Sequence, residues 1–229
     1  MYCPKHMIFD FILAFILSLY VISVFFSLKY VYEYNIRKGV GEQTAVYYNR
    51  KFVHIFAGGV TALFMPFFHS YWYPFIAGLI LTSITFLTHR RGSTLYWFQN
   101  SNDYNDVSFC IMWGFSIFLL WGYFGDTYKW IAIIPALFMS FGDGITGIIR
   151  NVAFKKRSKH PIGNVFMAFA CIPIGFFFGA LSGIALGGAL AGGIASIVEL
   201  FEIGPIDDNI FITVISSIFI FSFIIFPVF

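Results

Sequence analysis

Residues 128–150 read YKWIAIIPALFMSFGDGITGIIR, an apolar run that contains one acidic side chain, Asp143. About 20 helical residues cross the roughly 30 Å of hydrocarbon in a bilayer, so this run predicts a transmembrane helix. An ionisable side chain inside such a helix is costly unless it is paired or hydrated. Asp143 is therefore a candidate functional residue, about 10 Å of helix rise from the polar end of the span at Arg150.

The composition of the whole chain agrees with this prediction. Of its 229 residues, 59% are hydrophobic and only 11% are charged, whereas soluble domains have about 25% charged residues. This excludes a water-soluble enzyme, a nucleic-acid-binding module and a disordered tail, and it favours an all-α, polytopic integral membrane helix bundle. We expect one membrane domain, 1–229, made of a first helix with a cytoplasmic loop (1–48), a motif-bearing catalytic core (49–215) and a last helix (209–229).

Apolar runs bounded by charged residues or by Gly, Pro and Asn predict eight spans. They lie near 7–30, 53–68, 71–88, 107–124, 128–150, 164–181, 183–200 and 209–228. Eight spans put both termini on one side, and 12 of the 14 Lys and Arg residues then lie on the other side, in the loops 29–52, 89–106 and 150–163. Basic residues concentrate in cytoplasmic loops. We therefore expect both termini outside and the polar chemistry at the cytoplasmic face.

Small residues surround Asp143 in the fifth span. Gly142, Gly144 and Gly147 remove side-chain bulk where another backbone or a phosphate could approach. Asp143, Gly147 and Arg150 recur at i, i+4 and i+7, which places them on one helix face. A second interpretation is a buried Asp paired with Arg or Lys for assembly, with glycines for helix packing.

The loop 150–164 reads RNVAFKKRSKHPIGN and contains five cationic residues. We expect the next helix to begin at Gly163-Asn164, with Asn164 as its N-cap. The N–H groups and positive dipole end of that helix, together with Arg150 and Lys159, favour a phosphate ligand. A basic loop that holds anionic lipid headgroups explains the same pattern equally well.

A third set of residues precedes the second span. Arg50, His54 and Gly58 recur every four residues and so share one helix face, with Lys51 beside them. Because the set lies on the same side as Asp143, we expect it to bind an anionic ligand. The alternative is an ordinary interfacial histidine at a helix end.

Two further sets follow in the last third of the chain. A stripe of small residues ends in a carboxylate, and its members are Gly188, Gly192, Ser196 and Glu199. The glycines favour close helix packing. Asp207, Asp208 and Asn209 come directly before the last span. These carboxylates either complement the dipole of that helix or hold a hard cation such as Mg²⁺ together with substrate phosphates.

In this order, the motifs resemble those of the polyprenol kinase family, which includes dolichol kinase, phytol kinase and the CTP-dependent diacylglycerol kinase and is similar to the phosphatidate and CDP-archaeol cytidylyltransferases. The motifs are Arg50-Lys51-x-x-His54, Gly142-Asp143-Gly144, Lys159-x-x-x-Gly163-Asn164, Ser196-x-x-Glu199 and Asp207-Asp208-Asn209. The resemblance implies an all-helical membrane enzyme of lipid biosynthesis that phosphorylates a long-chain isoprenoid alcohol, usually from CTP. Two positions depart from the family pattern: Arg150-Asn151 stands where relatives commonly carry Gly-Lys, and Ile162 where they often carry an acid.

We therefore expect a Mg²⁺-dependent kinase of the cell membrane or endoplasmic reticulum that uses CTP or another nucleoside triphosphate and an acceptor such as dolichol or geranylgeraniol. Asp143 and Asp208 would hold Mg²⁺, with Asp207 or Glu199 in support, and Asp143 is the first choice to orient or deprotonate the alcohol. The residues expected to bind the donor are Arg50, Lys51, His54, Arg150, Lys159, Gly163, Asn164 and Asn209.

Two other functions stay open on the sequence. A cytidylyltransferase would use the same groups to convert CTP and a phospholipid acid into a CDP-lipid and pyrophosphate. A transporter of lipids or organic anions would place its binding groups at the bilayer midplane, between repeated halves. The polar residues instead lie towards one face, and no repeat is evident.

Overall fold

A computed structural model describes residues 4–101, 103–154, 158–201, 203 and 206–226. Within these ranges the regular secondary structure is helical, apart from one isolated bridge between Ile203 and Ile206. The expected all-α class is confirmed. Residues 155–157, which belong to the basic loop, and residues 227–229, which end the last predicted span, lie outside the described residues.

Eleven α-helices follow one another along the described chain. They are α1 (Pro4–Arg37), α2 (Glu42–Phe52), α3 (Val60–Phe64), α4 (Trp72–Arg90), α5 (Asn105–Phe124), α6 (Lys129–Ala132), α7 (Ile134–Leu137), α8 (Gly144–Phe154), α9 (Ile162–Ala180), α10 (Ala185–Val198) and α11 (Asp208–Ile225). A π-helical segment, Val53–Gly59, joins α2 to α3, and a second one, Phe138–Asp143, joins α7 to α8.

Six helical segments of the described chain are long and apolar enough to cross a bilayer, as expected for an integral membrane protein. They are Pro4–Arg37, Trp72–Arg90, Asn105–Phe124, Asp126–Phe154, Ile162–Ala180 and Asp208–Ile225. The other two predicted spans, 53–68 and 183–200, coincide with shorter elements, namely the first π-helical segment with α3, and the 14-residue α10. The number of crossings and the side of the termini stay predictions.

The segment Asp126–Phe154 is the centre of the bundle. In its most apolar stretch 83% of the residues are buried, against 11% for α1 and 17% for α4. It packs against α2, α5, α9, α10 and α11. Asp143, which lies in this segment, therefore faces other helices rather than lipid.

A close approach of α9 and α10 positions one wall of the site. A Cβ at Gly188 would overlap the carbonyl group of Gly175 on α9, and a Cβ at Gly192 would lie 2.5 Å from the carbonyl oxygen of Cys171. The close packing expected of these glycines is therefore present. It brings the C-terminal end of α10, where Glu199 follows, against the beginning of α9.

Candidate functional site

Asp143, the last residue of the second π-helical segment, is held by two groups from the α2 side. The Lys51 Nζ lies 2.6 Å from both carboxylate oxygens, and the His54 Nδ1 lies 3.0 Å from Oδ2. All three side chains are buried. A Cβ at Gly147 would overlap the aliphatic stem of Lys51. The glycine one turn after Asp143 therefore makes room for the lysine that pairs with it, as the paired-Asp interpretation predicts.

The first π-helical segment fixes the orientation of His54. Its ring stacks on Phe109 with centroids 3.9 Å apart. A Cβ at Gly58 would overlap this same phenylalanine, so Gly58 lets α5 approach closely enough for the stack. The two π-helical segments contact each other, and such segments occur frequently at functional sites.

Arg150 forms a second buried ion pair across the bundle. Its Nη1 and Nη2 lie 2.7 and 2.9 Å from the two carboxylate oxygens of Glu199, and both side chains are only 2% exposed. Nη2 also donates to the Asn164 Oδ1 at 2.7 Å, and Nε donates to the His160 carbonyl oxygen at 2.9 Å. This bidentate geometry ties α8 to the ends of α9 and α10.

Lys159 connects the pair of Arg150 and Glu199 to a third carboxylate, that of Asp208. Its Nζ lies 2.6 Å from the Asp208 Oδ2 and 3.1 Å from the Glu199 Oε1, and it donates to the Glu199 carbonyl oxygen at 2.8 Å. Lys159 is more accessible than its partners, with 28% of its side chain exposed. One ammonium group thus bridges two carboxylates that come from separate elements.

Asp143, Glu199 and Asp208 form the acidic centre of the site. Each offers a carboxylate oxygen, and the three oxygens lie within 4.8 Å of one another. All three residues are buried. Carboxylate oxygens are ligands of hard cations such as Mg²⁺, so these oxygens are the candidate metal ligands of the site. The three acids face three cations, Lys51, Arg150 and Lys159.

Asp207, which we predicted as a metal ligand, lies outside this group of three carboxylates, whereas Glu199 belongs to it. A metal-binding role for Asp207 stays a prediction. Asp207 is the N-cap of α11 and accepts from the Ile210 N–H at 3.2 Å, from the Ser108 hydroxyl and from the Asn209 amide. Burial raises the pKa of Asp207 to about 6, and the adjacent Asp208 charge acts in the same direction. Its hydrogen bonds direct it towards α5 and away from the acidic centre.

The expected phosphate grip at the start of α9 is corrected. The helix begins at Ile162 rather than at Gly163-Asn164, and Asn164 is not its N-cap. The N–H groups of Gly163 and Asn164 donate to the carbonyl oxygens of His160 and Pro161 at 3.2 and 3.0 Å. These N–H groups are therefore occupied within the turn.

Gly163 and Asn164 serve Arg150 instead. A Cβ at Gly163 would overlap the Arg150 Nε. The Asn164 side chain accepts from Arg150, and its amide donates to the Ser196 carbonyl oxygen and to the Glu199 Oε2, the latter at 3.1 Å. The motif Gly163-Asn164 thus positions the guanidinium group.

Arg50 lines the same cavity as His54, as the shared helix face predicts. Its Nη1 pairs with the Asp103 Oδ2 at 3.1 Å. Asp103 belongs to the segment 99–106, which reads QNSNDYND and also forms part of the site. This segment was not among the predicted site residues, although its density of amides and carboxylates stands out in a chain with 11% charged residues.

These groups surround one cavity of about 660 Å³ at the polar end of the bundle, a size typical of ligand sites. Residues from all three predicted basic loops contribute to it. Its lining is Glu42, Gln43, Thr44, Val46, Tyr47, Arg50, Lys51, His54, Thr94, Tyr96, Gln99, Asn100, Ser101, Asp103, Asn105, Asp143, Arg150, Asn151, Ser158, Lys159, Glu199, Asp208 and Asn209. Of the predicted donor-binding residues, Gly163 and Asn164 do not line this cavity, and the others do.

Comparison with known proteins gives no relative of this chain. No family model matches it, and neither does any curated protein or solved structure.

Proposed function

We propose that this protein is a membrane lipid kinase that transfers the terminal phosphoryl group of CTP, or of another nucleoside triphosphate, to a long-chain isoprenoid alcohol such as dolichol or geranylgeraniol. The observation that carries the proposal is the meeting of three buried carboxylates and three cations in one cavity at the end of an apolar helix bundle. Phosphoryl transfer is catalysed mainly by positioning and by neutralising phosphate charge. The surrounding bilayer would deliver the alcohol laterally.

The charge balance of the site supports a metal nucleotide as the ligand. Asp143, Glu199 and Asp208 offset the three cations that contact them, so the set is close to neutral by itself. A triphosphate adds negative charge, which Mg²⁺ held by the three carboxylates would neutralise. With Mg²⁺ held by Asp143, Glu199 and Asp208, the ammonium groups of Lys51 and Lys159 would be available to bind phosphate oxygens.

Asp143 is the residue best placed to handle the acceptor. It lies deepest in the central segment, next to the apolar part of the bundle. In the proposed reaction the alcohol oxygen attacks the γ-phosphorus, the bond from that phosphorus to the β-phosphate oxygen breaks, and the hydroxyl proton passes to the Asp143 carboxylate. The products are the phosphorylated alcohol and the nucleoside diphosphate.

The proposal includes the membrane topology predicted from the sequence: eight crossings, both termini outside and the cavity at the cytoplasmic face. The cavity is lined by residues of the three basic loops, and basic loops are retained in the cytoplasm. Reporter fusions at both termini would test this, because an inward-facing terminus contradicts the topology.

The direct test of the activity is a labelling experiment with purified protein in detergent, geranylgeraniol or dolichol, Mg²⁺ and labelled CTP. Label from the γ-position is expected in the lipid, and label from the α-position is not. The opposite result, with a phospholipid acid as acceptor, would identify a cytidylyltransferase and refute the kinase. ATP and UTP in place of CTP define the donor.

Asp143→Asn is expected to abolish this transfer while the protein still expresses. Because the substitution leaves the buried Lys51 ammonium group without its counter-charge, it also lowers stability, so transfer is compared only in protein shown to be folded. The matched control is Asp126→Asn. That carboxylate accepts from the Trp121 indole N–H at 2.7 Å and does not line the cavity. Wild-type turnover in Asp143→Asn would remove Asp143 from the mechanism.

A further inference from the structure

Asn151 is a buried amide whose hydrogen-bonding groups have no partner within the described part of the chain. Only 2% of the residue is exposed, and neither its Oδ1 nor its Nδ2 makes a hydrogen bond there. It lines the cavity but takes no part in the ion pairs around Asp143 and Glu199. Buried polar groups are nearly always hydrogen-bonded in native proteins, so an amide in this position indicates a ligand.

The position of Asn151 follows from the packing of α8 on α2. Gly147 faces α2 and Gly144 faces the first π-helical segment, since a Cβ at Gly147 would overlap Lys51 and a Cβ at Gly144 would lie 2.5 Å from Ile55. Asn151 continues this stripe one helical turn further, about 6 Å along the axis. Asn151 therefore lies one turn beyond the stem of Lys51 and about two turns beyond Asp143, towards the mouth of the cavity.

Aromatic rings line the same cavity. Tyr47 lies one turn before Lys51 on α2, and its ring centre is 5.3 Å from the Lys51 Nζ. Tyr96 contributes a second ring to the lining. Aromatic faces of this kind stack on nucleobases. The cavity thus has charged groups at its inner end, and an amide and aromatic rings on its walls.

We propose that Asn151 recognises the base of the nucleotide donor. This inference rests on the proposed function and assigns a subsite within that cavity. A carboxamide presents one acceptor and one donor side by side, which complements an acceptor–donor edge such as N3 and the N4 amino group of cytosine. Phosphates would go to the charged groups Lys51, Arg150 and Lys159, which bind them more strongly than a neutral amide does.

The test compares the binding of CTP with that of inorganic tripolyphosphate, which has the phosphates but no base, to purified protein with Mg²⁺ and without a lipid acceptor. Asn151→Ala is expected to weaken CTP binding by about 10-fold, the value of one or two neutral hydrogen bonds, and to leave tripolyphosphate binding within about twofold. Asn35→Ala, which removes an amide on α1 that does not line the cavity, is the control and should change neither.

Asn151→Asp provides a second test, which measures the preference among nucleotides. A carboxylate only accepts, so the variant should shift the preference among CTP, UTP, ATP and GTP towards GTP, whose base offers adjacent N–H donors. The fold of the variants is checked independently, by their melting temperature and by their elution as a single species in detergent.

Three results would overturn this assignment. They are equal weakening of CTP and tripolyphosphate in Asn151→Ala, no weakening of either, and wild-type protein that binds CTP no better than tripolyphosphate. Failure of the kinase proposal looks different: a protein that binds CTP selectively through Asn151 but transfers no phosphate to the alcohol would refute the kinase and leave the base subsite standing.

Discussion

Substitutions at Arg150 and Glu199 test whether this ion pair serves the activity or only the assembly of the helix bundle. Glu199→Gln keeps the shape of the side chain but leaves the guanidinium group of Arg150, which is 2% exposed, without a counter-charge. Removing one partner of a buried ion pair costs about 3–5 kcal/mol. We expect a loss of that size in the free energy of unfolding, measured by titration with a denaturing detergent.

The matched control is Asp103→Asn, which breaks the more accessible pair with Arg50. The Asp103 side chain is 24% exposed, and pairs of that kind contribute about 0–1 kcal/mol. A loss in Glu199→Gln no larger than that in Asp103→Asn would refute the burial argument.

The double variant Arg150→Met, Glu199→Leu removes both charges together. Replacing a buried ion pair by apolar side chains of similar volume is often neutral or stabilising. We therefore expect stability close to that of the wild type, together with loss of phosphoryl transfer. A stable double variant that retains full activity would show that the pair serves assembly alone and would contradict the proposed site.

The other predictions concern Gly163, Asp208 and Asp207. Gly163→Ala should lower the rate of phosphoryl transfer at least about 10-fold with a modest loss of stability. The added methyl group would displace the guanidinium group of Arg150, and the rate depends on the position of the groups that bind the substrate. Turnover equal to that of the wild type would contradict this. Asp208→Asn should raise the Mg²⁺ concentration needed for half-maximal CTP binding by at least about 10-fold, whereas Asp207→Asn should change it by less than about twofold, since Asn is also a good N-cap. Equal effects of the two substitutions would show that Asp207 contributes to Mg²⁺ binding as much as Asp208 does.

Much of the fold could be predicted because hydropathy acts locally along the chain. The apolar runs of α1, α4, α5, α9 and α11 are long enough to be recognised individually. The glycine stripe through Gly188 and Gly192 predicts close packing, which α9 provides. The first π-helical segment has no such signal, because Val53–Gly59 differs from an α-helix only in hydrogen-bond register.

The sequence predicts which acidic residues belong to the site, but it predicts less well which basic residue pairs with each of them. Asp143, Glu199 and Asp208 are acids in an apolar chain, which makes each a candidate on the sequence alone. Their partners are set by tertiary packing: Lys51 pairs with an acid 92 residues away, and spacing along one helix could not separate it from Arg50. The sequence could not separate Asp207 from Asp208, because adjacent side chains at a helix start point in different directions, and Asp207 caps α11 while Asp208 joins the three-carboxylate group.

The most direct test of the account is Mn²⁺ binding measured by electron paramagnetic resonance, with Mn²⁺ in place of Mg²⁺, in the presence of CTP. We expect one bound ion per chain, weakened strongly by Asp143→Asn, by Glu199→Gln and by Asp208→Asn, and unaffected by Asp126→Asn. Binding that survives all three substitutions in folded protein would contradict the claim that these carboxylates form one cation and nucleotide site.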